Sequence, residues 1–487
     1  MDRARWIRSL ASVVYVFLLC TGLAWAVEAP DTSALKLRPA PTQPLRLQAA
    51  VDLAVTNYPK ILQAQSEIRA AQKSVTVTKL NEYQPAGLMS WQDVFASHNK
   101  LTQVLFMDPV MPQNMGPGFP SVTFRPHFFS ASGFIVDWAP IDFGLHRARI
   151  DASKAALKQT RAEYGVTRLD VATAAASTFL DSVIMHEQVL ASEANVRRFE
   201  AFSQMVHSLA SAELRPGADA SLADAQLADS KNQLIRARLS EELALASLAN
   251  AVGLGGQAVM IDPGEIAEIS EPPDIQKGPP DFENHPFALA GHAAIQTISA
   301  RAHVYDVMYY PKFRWLGGIN LRGAGLNVDG RPQSANVHGI FPTVPNWNIG
   351  LIIDFPFLDI FKIRAERQVE LNRLSAERHR YELIMQNLRT EDVQARAQVR
   401  AAIDLAANMP VQVQAAHEAA SRAAARYQAG LGTVAQVAEA EQLLARSVVE
   451  EAVARIGVWR ALLAVANVHG DLQPFLQEAS RPRKREK

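Results

Sequence analysis

Long alanine-rich stretches of the chain carry hydrophobic residues at spacings of three and four, a pattern typical of helices with one apolar seam. One series lies in the first half of the chain, at Leu169, Ala172, Ala176, Phe179 and Val183. A second series lies in the other half, at Val437, Ala440, Leu444 and Val448. This spacing predicts coiled-coil packing, although the core of an ordinary helical bundle would show the same stripes.

The length of these stretches favours an elongated form. If the runs Gly144–Arg215 and Asp359–Gln428 are continuous helices, each extends about 100 Å at roughly 1.5 Å per residue. Pro410 lies within the second run, and it predicts a kink or a break there because proline lacks the amide donor. Each run is followed by a turn and another helix, and we expect Gly217 and Gly430 to supply a positive φ at these reversals.

Other segments alternate between apolar and polar residues, as strands do. Residues 313–322 place aromatic and aliphatic side chains on one face and Arg314, Asn320 and Arg322 on the other. Residues 347–355, 133–138 and 88–96 complete a set of four predicted strands. Four strands cannot close a barrel, since the smallest membrane barrels have about eight. Either they form a small soluble sheet, or several copies of the chain share one barrel.

The same order of elements occurs twice. The phrase NYP at Asn57 returns as NHP at Asn284, and each is followed by a helix, two strands and a long helical hairpin. The turns VDWAPIDFG (136–144) and IDFPFLDIF (353–361) correspond, as do ELRPG (213–217) and RYQAG (426–430). We interpret this order as a duplication, because two unrelated helical regions would match in their turns only by chance.

The two repeats are predicted to span residues 45–255 and 283–472, with a proline-rich linker at 256–282. Residues 1–26 have the basic start, apolar run and small-residue end of a cleaved secretory signal peptide. Residues 27–44 are assigned as an N-terminal extension, and residues 473–487 as a basic disordered tail. An uncleaved membrane anchor is the alternative for residues 1–26, but the apolar run is shorter than the roughly 20 residues that span a bilayer.

Composition excludes several kinds of chemistry. The single cysteine, Cys20, lies within the signal, which leaves lipidation as a minor alternative and removes disulfides and thiol catalysis from the mature chain. The formal net charge is zero, so no nucleic-acid partner is expected. The sequence contains no nucleophile elbow, P-loop or HExxH pair, and the twelve histidines show no ligand spacing. We therefore predict no enzyme, no cofactor and no metal site, and interpret Met107, Met111 and Met115 as contact surface.

From about Leu45 to Leu472, the order of these motifs resembles the TolC-type outer membrane efflux proteins. The resemblance implies a mixed α and β fold with a duplicated half-repeat. Three copies would build a helical coiled-coil tunnel in the periplasm and a shared twelve-stranded β-barrel in the outer membrane of a Gram-negative bacterium. It also implies a passive export duct that is opened by a periplasmic adaptor and an inner-membrane pump of RND, ABC or MFS type, with outer membrane lipid around the barrel.

The resemblance also assigns residues. The entrance would be lined by Gln436 and Glu439, where an amide replaces one of the family's two carboxylates, and Arg426 and Tyr427 would hold it shut. The hairpin tips that face the adaptor would be Arg215, Pro216, Gly217, Gly430, Leu431 and Gly432. The turns from strand to helix would be Pro140, Asp142, Gly144, Pro356 and Asp359. Two other functions stay open, namely a periplasm-spanning scaffold without a lumen and an exported enzyme on a helical scaffold.

Overall fold

The computed structural model describes residues 43–99, 105, 122–264, 266, 281–327, 331 and 339–480. The predicted signal peptide with Cys20, the three loop methionines and residues 481–487 lie outside these ranges. In chain order the elements are α1 (Leu47–Asn57), α2 (Pro59–Tyr83), β1 (Ala86–Asn99), β2 (Val122–Ile141), α3 (Leu145–Ser211), α4 (Gly217–Ala251), α5 (Pro286–Val307), β3 (Lys312–Ala324), β4 (Val344–Asp354), α6 (Ile360–Gln428), α7 (Val434–Val468) and α8 (Gln473–Ala479).

Two helices run most of the length of the helical part. The 67 residues of α3 and the 69 residues of α6 each form one helix of about 100 Å. Near the strands the helices pack side by side in the order α2, α3, α5, α6, and towards the reversals in the order α4, α3, α7, α6. The break considered at Pro410 does not occur, since α6 continues through this residue. Proline removes one backbone hydrogen bond, and the flanking alanine-rich turns favour helix strongly enough to continue.

The two reversals differ in the residue that turns the chain. Gly430 has a φ of 82° as expected, but the positive φ of the first reversal belongs to Glu213, at 58°, and not to Gly217. Gly217 is instead the first residue of α4. The prediction for Gly217 was wrong because the chain turns four residues earlier, before Pro216 extends it into the new helix.

The repeated NxP phrase marks a contact that occurs once in each half. In both phrases the proline is the first residue of a helix, α2 or α5. A glycine with positive φ ends the other hairpin helix against each phrase: Gly253 lies against Asn57, and Gly470 lies against His285. A Cβ atom at Gly470 would lie 2.7 Å from the ring of His285. In each half, the end of the last hairpin helix therefore packs against the NxP phrase of the same half.

His285 caps the second of these helices with a neutral ring. Its Nδ1 accepts a hydrogen bond from the amide of Phe287, and its Nε2 lies 3.2 Å from the carbonyl oxygen of Asn467. Since one nitrogen accepts and the other faces an acceptor, the ring carries a single proton, on Nε2. The side chain is only 1% exposed, and this burial lowers its pKa.

We expect acid to destabilise this cap. An unfolded chain binds a proton at His285 more readily than the folded protein, so the free energy of unfolding is highest above the unfolded pKa of about 6.5 and decreases as the pH falls below it. Between pH 7.5 and 5, the thermal stability of His285→Asn should decrease less than that of the unchanged protein. The asparagine side-chain oxygen can still cap the helix, and asparagine does not titrate. An equal decrease in both proteins would contradict this role.

The four strands form one antiparallel sheet in the order β1-β2-β3-β4. Their register confirms the predicted alternation, because apolar residues face one another across strands, as Trp138 does Trp315 and Ile319 does Trp347. The apolar face of the sheet, defined by this row, carries Met89, Trp91, Phe134, Trp138, Trp315, Ile319, Trp347, Ile349 and Leu351. The opposite face, which we call the polar face, carries Ser90, Gln92, Asp137, Asn320, Arg322, Asn346, Asn348 and Asp354, together with the apolar Leu88, Ile135, Leu316 and Ile352.

The largest core lies where α1, α3, α7 and α8 meet. Its centre contains Phe179, Trp459 and Phe475, and the rings of Trp459 and Phe475 pack edge to face at 6.0 Å. The predicted disorder from residue 473 is therefore wrong for residues 473–479, which form α8 because Phe475 and Leu476 are apolar and buried. The start of the predicted linker also pairs with the start of the repeat, through the bridge between Leu45 and Ile261.

Candidate functional site: the two helix reversals

The reversals between α3 and α4 and between α6 and α7 lie next to each other, and Tyr427 joins them. Its side chain is fully buried, among residues of all four helices. The ring packs edge to face against Phe202 of α3 at 5.7 Å between centroids. Its hydroxyl donates to Oδ2 of Asp219, in the first turn of α4, at 3.2 Å. Burial, together with this carboxylate, raises the pKa of Tyr427, so the phenol stays a donor.

Arg215 holds the same tyrosine from the first reversal. Its Nη2 donates to the carbonyl oxygen of Tyr427 at 2.5 Å. Its guanidinium carbon lies 4.5 Å from the centre of the Tyr427 ring. The cation therefore binds the C-terminal end of α6, where the helix dipole is negative, and the face of an aromatic ring. Together with Asp219, these residues form what we call the tyrosine clamp: Arg215, Asp219 and Tyr427.

Arg426 is not part of this clamp. Its side chain is exposed, and its Nη2 lies 3.4 Å from the carbonyl oxygen of Leu431 within its own reversal. The sequence pointed to Arg426 and Tyr427 together, whereas the structure brings Arg215 and Asp219 to Tyr427. No sequence signal identified Asp219, which lies 208 positions from its partner.

Gln436 and Glu439 lie at the start of α7, and both are exposed. Gln436 completes a capping box: its amide donates to Oγ1 of Thr433, and its side-chain oxygen accepts from the amide of Thr433 at 3.2 Å. An amide serves this role as well as a carboxylate does, which gives Gln436 a local reason to be there. Glu439 follows three residues later, on the same side of the helix.

The ends of the hairpins present apolar and backbone surface. Leu431 is 72% exposed, and Pro216 and Gly217 are also exposed. Gly432 is half-buried, and a Cβ atom there would lie 3.3 Å from the amide nitrogen of Tyr427. The predicted tip residues therefore do lie together at one end of the described helices, within reach of a partner.

The turns from strand to helix differ between the two halves. After Pro140, Oδ1 of Asp142 accepts from the amide of Gly144 at 3.2 Å, and its Oδ2 accepts from the amide of His146, so Asp142 caps α3. Gly144 has a φ of 105°. The second turn begins at Pro356, and Asp359 precedes α6 without a side-chain cap.

A half-buried cluster reinforces the first turn. The two ring nitrogens of His146 lie 2.5 Å from Oε2 of Glu82 and 2.7 Å from the carbonyl oxygen of Ala139. Arg149 adds an ion pair to Glu82 at 3.1 Å. These residues connect the end of α2 to the start of α3. The sequence did not predict these contacts, because the partners lie far apart along the chain.

Within the described ranges, no helix combines the length and hydrophobicity that a membrane span requires. Among the same residues, no three histidine, cysteine or acidic side chains come close enough together to hold a metal ion.

Comparison with known proteins gives a family match for the second half of the chain and a similar fold for most of its length. Residues 283–471 match the family model described as "Outer membrane efflux protein". No curated protein matches the sequence. Among solved structures, the chain is similar to the channel protein CusC, with 13% identity, a TM-score of 0.70, and coverage of 89% of this chain and 98% of that one.

Two further structures agree. The CmeC outer membrane channel of Campylobacter jejuni has 16% identity and a TM-score of 0.69, and 89% of each chain is covered. The outer membrane protein VceC of Vibrio cholerae has 17% identity and a TM-score of 0.66, with coverage of 87% of this chain and 96% of that one. At these identities the likeness establishes the fold. Residues 283–471 therefore match the outer membrane efflux protein family, within a chain that has the fold of these solved channel structures.

Proposed function

We propose that three copies of this chain form an efflux channel through the outer membrane of a Gram-negative bacterium. The copies share one twelve-stranded barrel and one periplasmic helical tunnel, and the tyrosine clamp keeps the tunnel entrance narrow. An adaptor and an inner-membrane pump supply the energy and select the cargo. The family match and the shared fold support this function. The main structural observation for it is the exposed apolar face of the sheet.

The apolar face of the sheet needs a nonpolar environment. Trp347 is 78% exposed and Ile349 is 69% exposed in the single chain, and their neighbours on this face are similar. Exposed apolar surface of this extent marks contact with protein or membrane. The polar face opposite it would line a water-filled interior, as in barrels with an apolar exterior.

The sheet also has two open edges. Among the described residues, strands β1 and β4 each pair on one side only, and unpaired edges within a membrane are costly because no water satisfies their backbone groups. Four strands per chain and three chains give twelve, which exceeds the roughly eight that a closed barrel needs. Closed rotational symmetry is the usual way in which identical chains satisfy such edges.

The tyrosine clamp supports the location of the entrance. It lies at the reversals, the end of the helices that is furthest from the sheet, and it joins the two hairpins of one chain. Separating the hairpins would widen a tunnel made of them, and it would require breaking the hydrogen bonds that Tyr427 makes with Arg215 and Asp219. The exposed tip around Leu431 is the surface on which we expect the adaptor to bind.

Glu439 gives the test of this function. Purified protein in planar bilayers should conduct, and divalent cations should block the current, since three Glu439 carboxylates around one axis attract cations. Glu439→Gln should weaken the affinity of the blocking cation by about tenfold or more. A tenfold change corresponds to roughly 1.4 kcal/mol of binding free energy. Glu242→Gln, at an exposed position of α4, serves as the control and should leave the block unchanged.

The outcomes separate the alternatives. Absence of current in intact trimers would favour a scaffold without a lumen. Current with the same divalent block in Glu439→Gln would retain the channel and remove Glu439 from its entrance. Gln436→Ala should act mainly on the capping box, and loss of the hydrogen bond to the amide of Thr433 should cost about 0.5–1.5 kcal/mol in stability.

A further inference from the structure

The polar face of the sheet does not stay polar along its whole length. At the end of the strands furthest from the helices, Val94, Phe129 and Ala324 face one another across β1, β2 and β3. Two and four residues after Phe129 in β2, Ala131 pairs with Arg322 and Gly133 pairs with Asn320. Because side chains alternate between faces, this apolar row lies on the same face as Arg322 and Asn320.

A second layer of side chains covers the row. Leu326, just after β3, packs on Phe129, and Leu105 contacts the same cluster. Phe129 is fully buried and Leu326 is 5% exposed, although no second chain is present. The amide of Gly325 donates to the carbonyl oxygen of Phe128 at 2.9 Å, which holds the chain beside β2 and keeps Leu326 next to Phe129. We call this cluster the apolar collar: Val94, Ala96, Leu105, Phe129, Ala324 and Leu326.

We propose that the apolar collar is a second constriction of the channel, at its exit. The proposal rests on the proposed function, because only in a shared barrel does the polar face become the lining. The covering side chains would stand between the sheet and the axis of a shared barrel, so three collars around that axis would narrow the exit. An apolar constriction opposes hydrated ions and favours apolar and amphiphilic solutes.

The composition of the collar distinguishes it from the tunnel entrance. The tyrosine clamp is closed by hydrogen bonds and a charge, whereas the collar is closed by apolar contact alone among its described members. A solute with an apolar surface can replace such contacts as it passes, but a hydrated ion cannot. Cargo at the exit is therefore sorted by polarity, independently of the pump.

The test requires an entrance that no longer limits the current, and Arg215→Ala provides it as the parent protein. In this parent, Leu326→Ser should raise the single-channel conductance by on the order of twofold, since it removes apolar bulk from the constriction. Leu326→Phe should lower the conductance. Phe95→Ser, which removes an aromatic ring from the opposite face of β1, is the matched control and should change it little.

Opposite effects of the two Leu326 variants, in trimers of normal thermal stability, would support the constriction. A residue that is only part of a core would destabilise the trimer in both variants without moving conductance in opposite directions. Unchanged conductance in intact trimers of both variants would overturn the collar while leaving the channel in place. A parent protein that carries no current would overturn the proposed function, and the collar with it.

Discussion

Arg215→Ala should open the channel more often and increase its mean current. The side chain makes two contacts with Tyr427, a hydrogen bond to its carbonyl oxygen and a contact with its ring. A hydrogen bond from a charged group contributes about 1.5–3 kcal/mol, and a cation on an aromatic face about 0.5–2 kcal/mol. Both contacts join the two hairpins, so both are lost when the hairpins separate.

The expected change is large because three chains contribute to one entrance. A loss of about 2 kcal/mol in one chain favours the separated hairpins by roughly thirtyfold, at about 1.4 kcal/mol for each factor of ten. Open probability in planar bilayers is the measurement, with the thermal stability of the trimer recorded beside it. Asp219→Ala should act in the same direction, because it removes the acceptor of the Tyr427 hydroxyl.

Arg426→Ala is the matched control for this experiment. It removes the same kind of side chain from the position next to Tyr427, but the side-chain hydrogen bond that Arg426 makes among the described residues stays within its own reversal. Its open probability should equal that of the unchanged protein. If Arg426→Ala and Arg215→Ala open the channel equally, general loss of positive charge at the tip explains the effect and the clamp does not.

The sequence predicted the elements of this fold better than their contacts. All four strands and both long helices follow from periods of two and of three to four residues, because burial of one face imposes those periods. The predicted face of β3 is confirmed by its register with β2 and β4. Residues 473–479 were missed because a segment of seven residues shows too little period to be recognised, although Phe475 fills the core.

The contacts at the candidate site were harder to predict from the sequence. Tyr427 was found through resemblance, but its partners Arg215 and Asp219 lie more than 200 positions away, and no local pattern records which side chains meet there. The pore-lining role of Gln436 stays a prediction, and its hydrogen bonds show in addition that it completes a helix cap. Contacts between segments distant in sequence depend on how whole helices pack, and the apolar period fixes the packing face but not each pairing.

Three glutamates on α4 should abolish the trimer. Ile235, Leu239 and Leu243 follow one another at intervals of four residues, so they form one stripe along α4, and they are 65%, 56% and 60% exposed. Ala237, which is buried against the chain's own helices, lies on the opposite side of α4. The stripe therefore faces away from the chain's core, at the edge of the row of helices.

A second copy of the chain is the partner that this stripe fits. The helix at the other edge, α6, also has exposed aliphatic residues along its length, namely Val369, Leu383, Val393, Leu405 and Val411. In a closed ring of three chains, α4 of one copy would meet α6 of the next, as the open edges of β1 and β4 would also meet. Full burial of each aliphatic side chain is worth about 1.5–3 kcal/mol, and a carboxylate in its place would be buried without a partner at a cost of several kcal/mol.

The triple variant Ile235→Glu, Leu239→Glu and Leu243→Glu should therefore run as a monomer when its mass is measured in detergent by light scattering, and it should carry no current. Ile235→Leu, Leu239→Ile and Leu243→Met keep the stripe apolar at nearly constant volume, and this control should remain trimeric. Far-UV circular dichroism should show the same helix content for both proteins, because α4 keeps its packing on α3. A stable trimer with all three glutamates would mean that copies of the chain meet through other surfaces, and it would remove the helical edges from the argument for a shared channel.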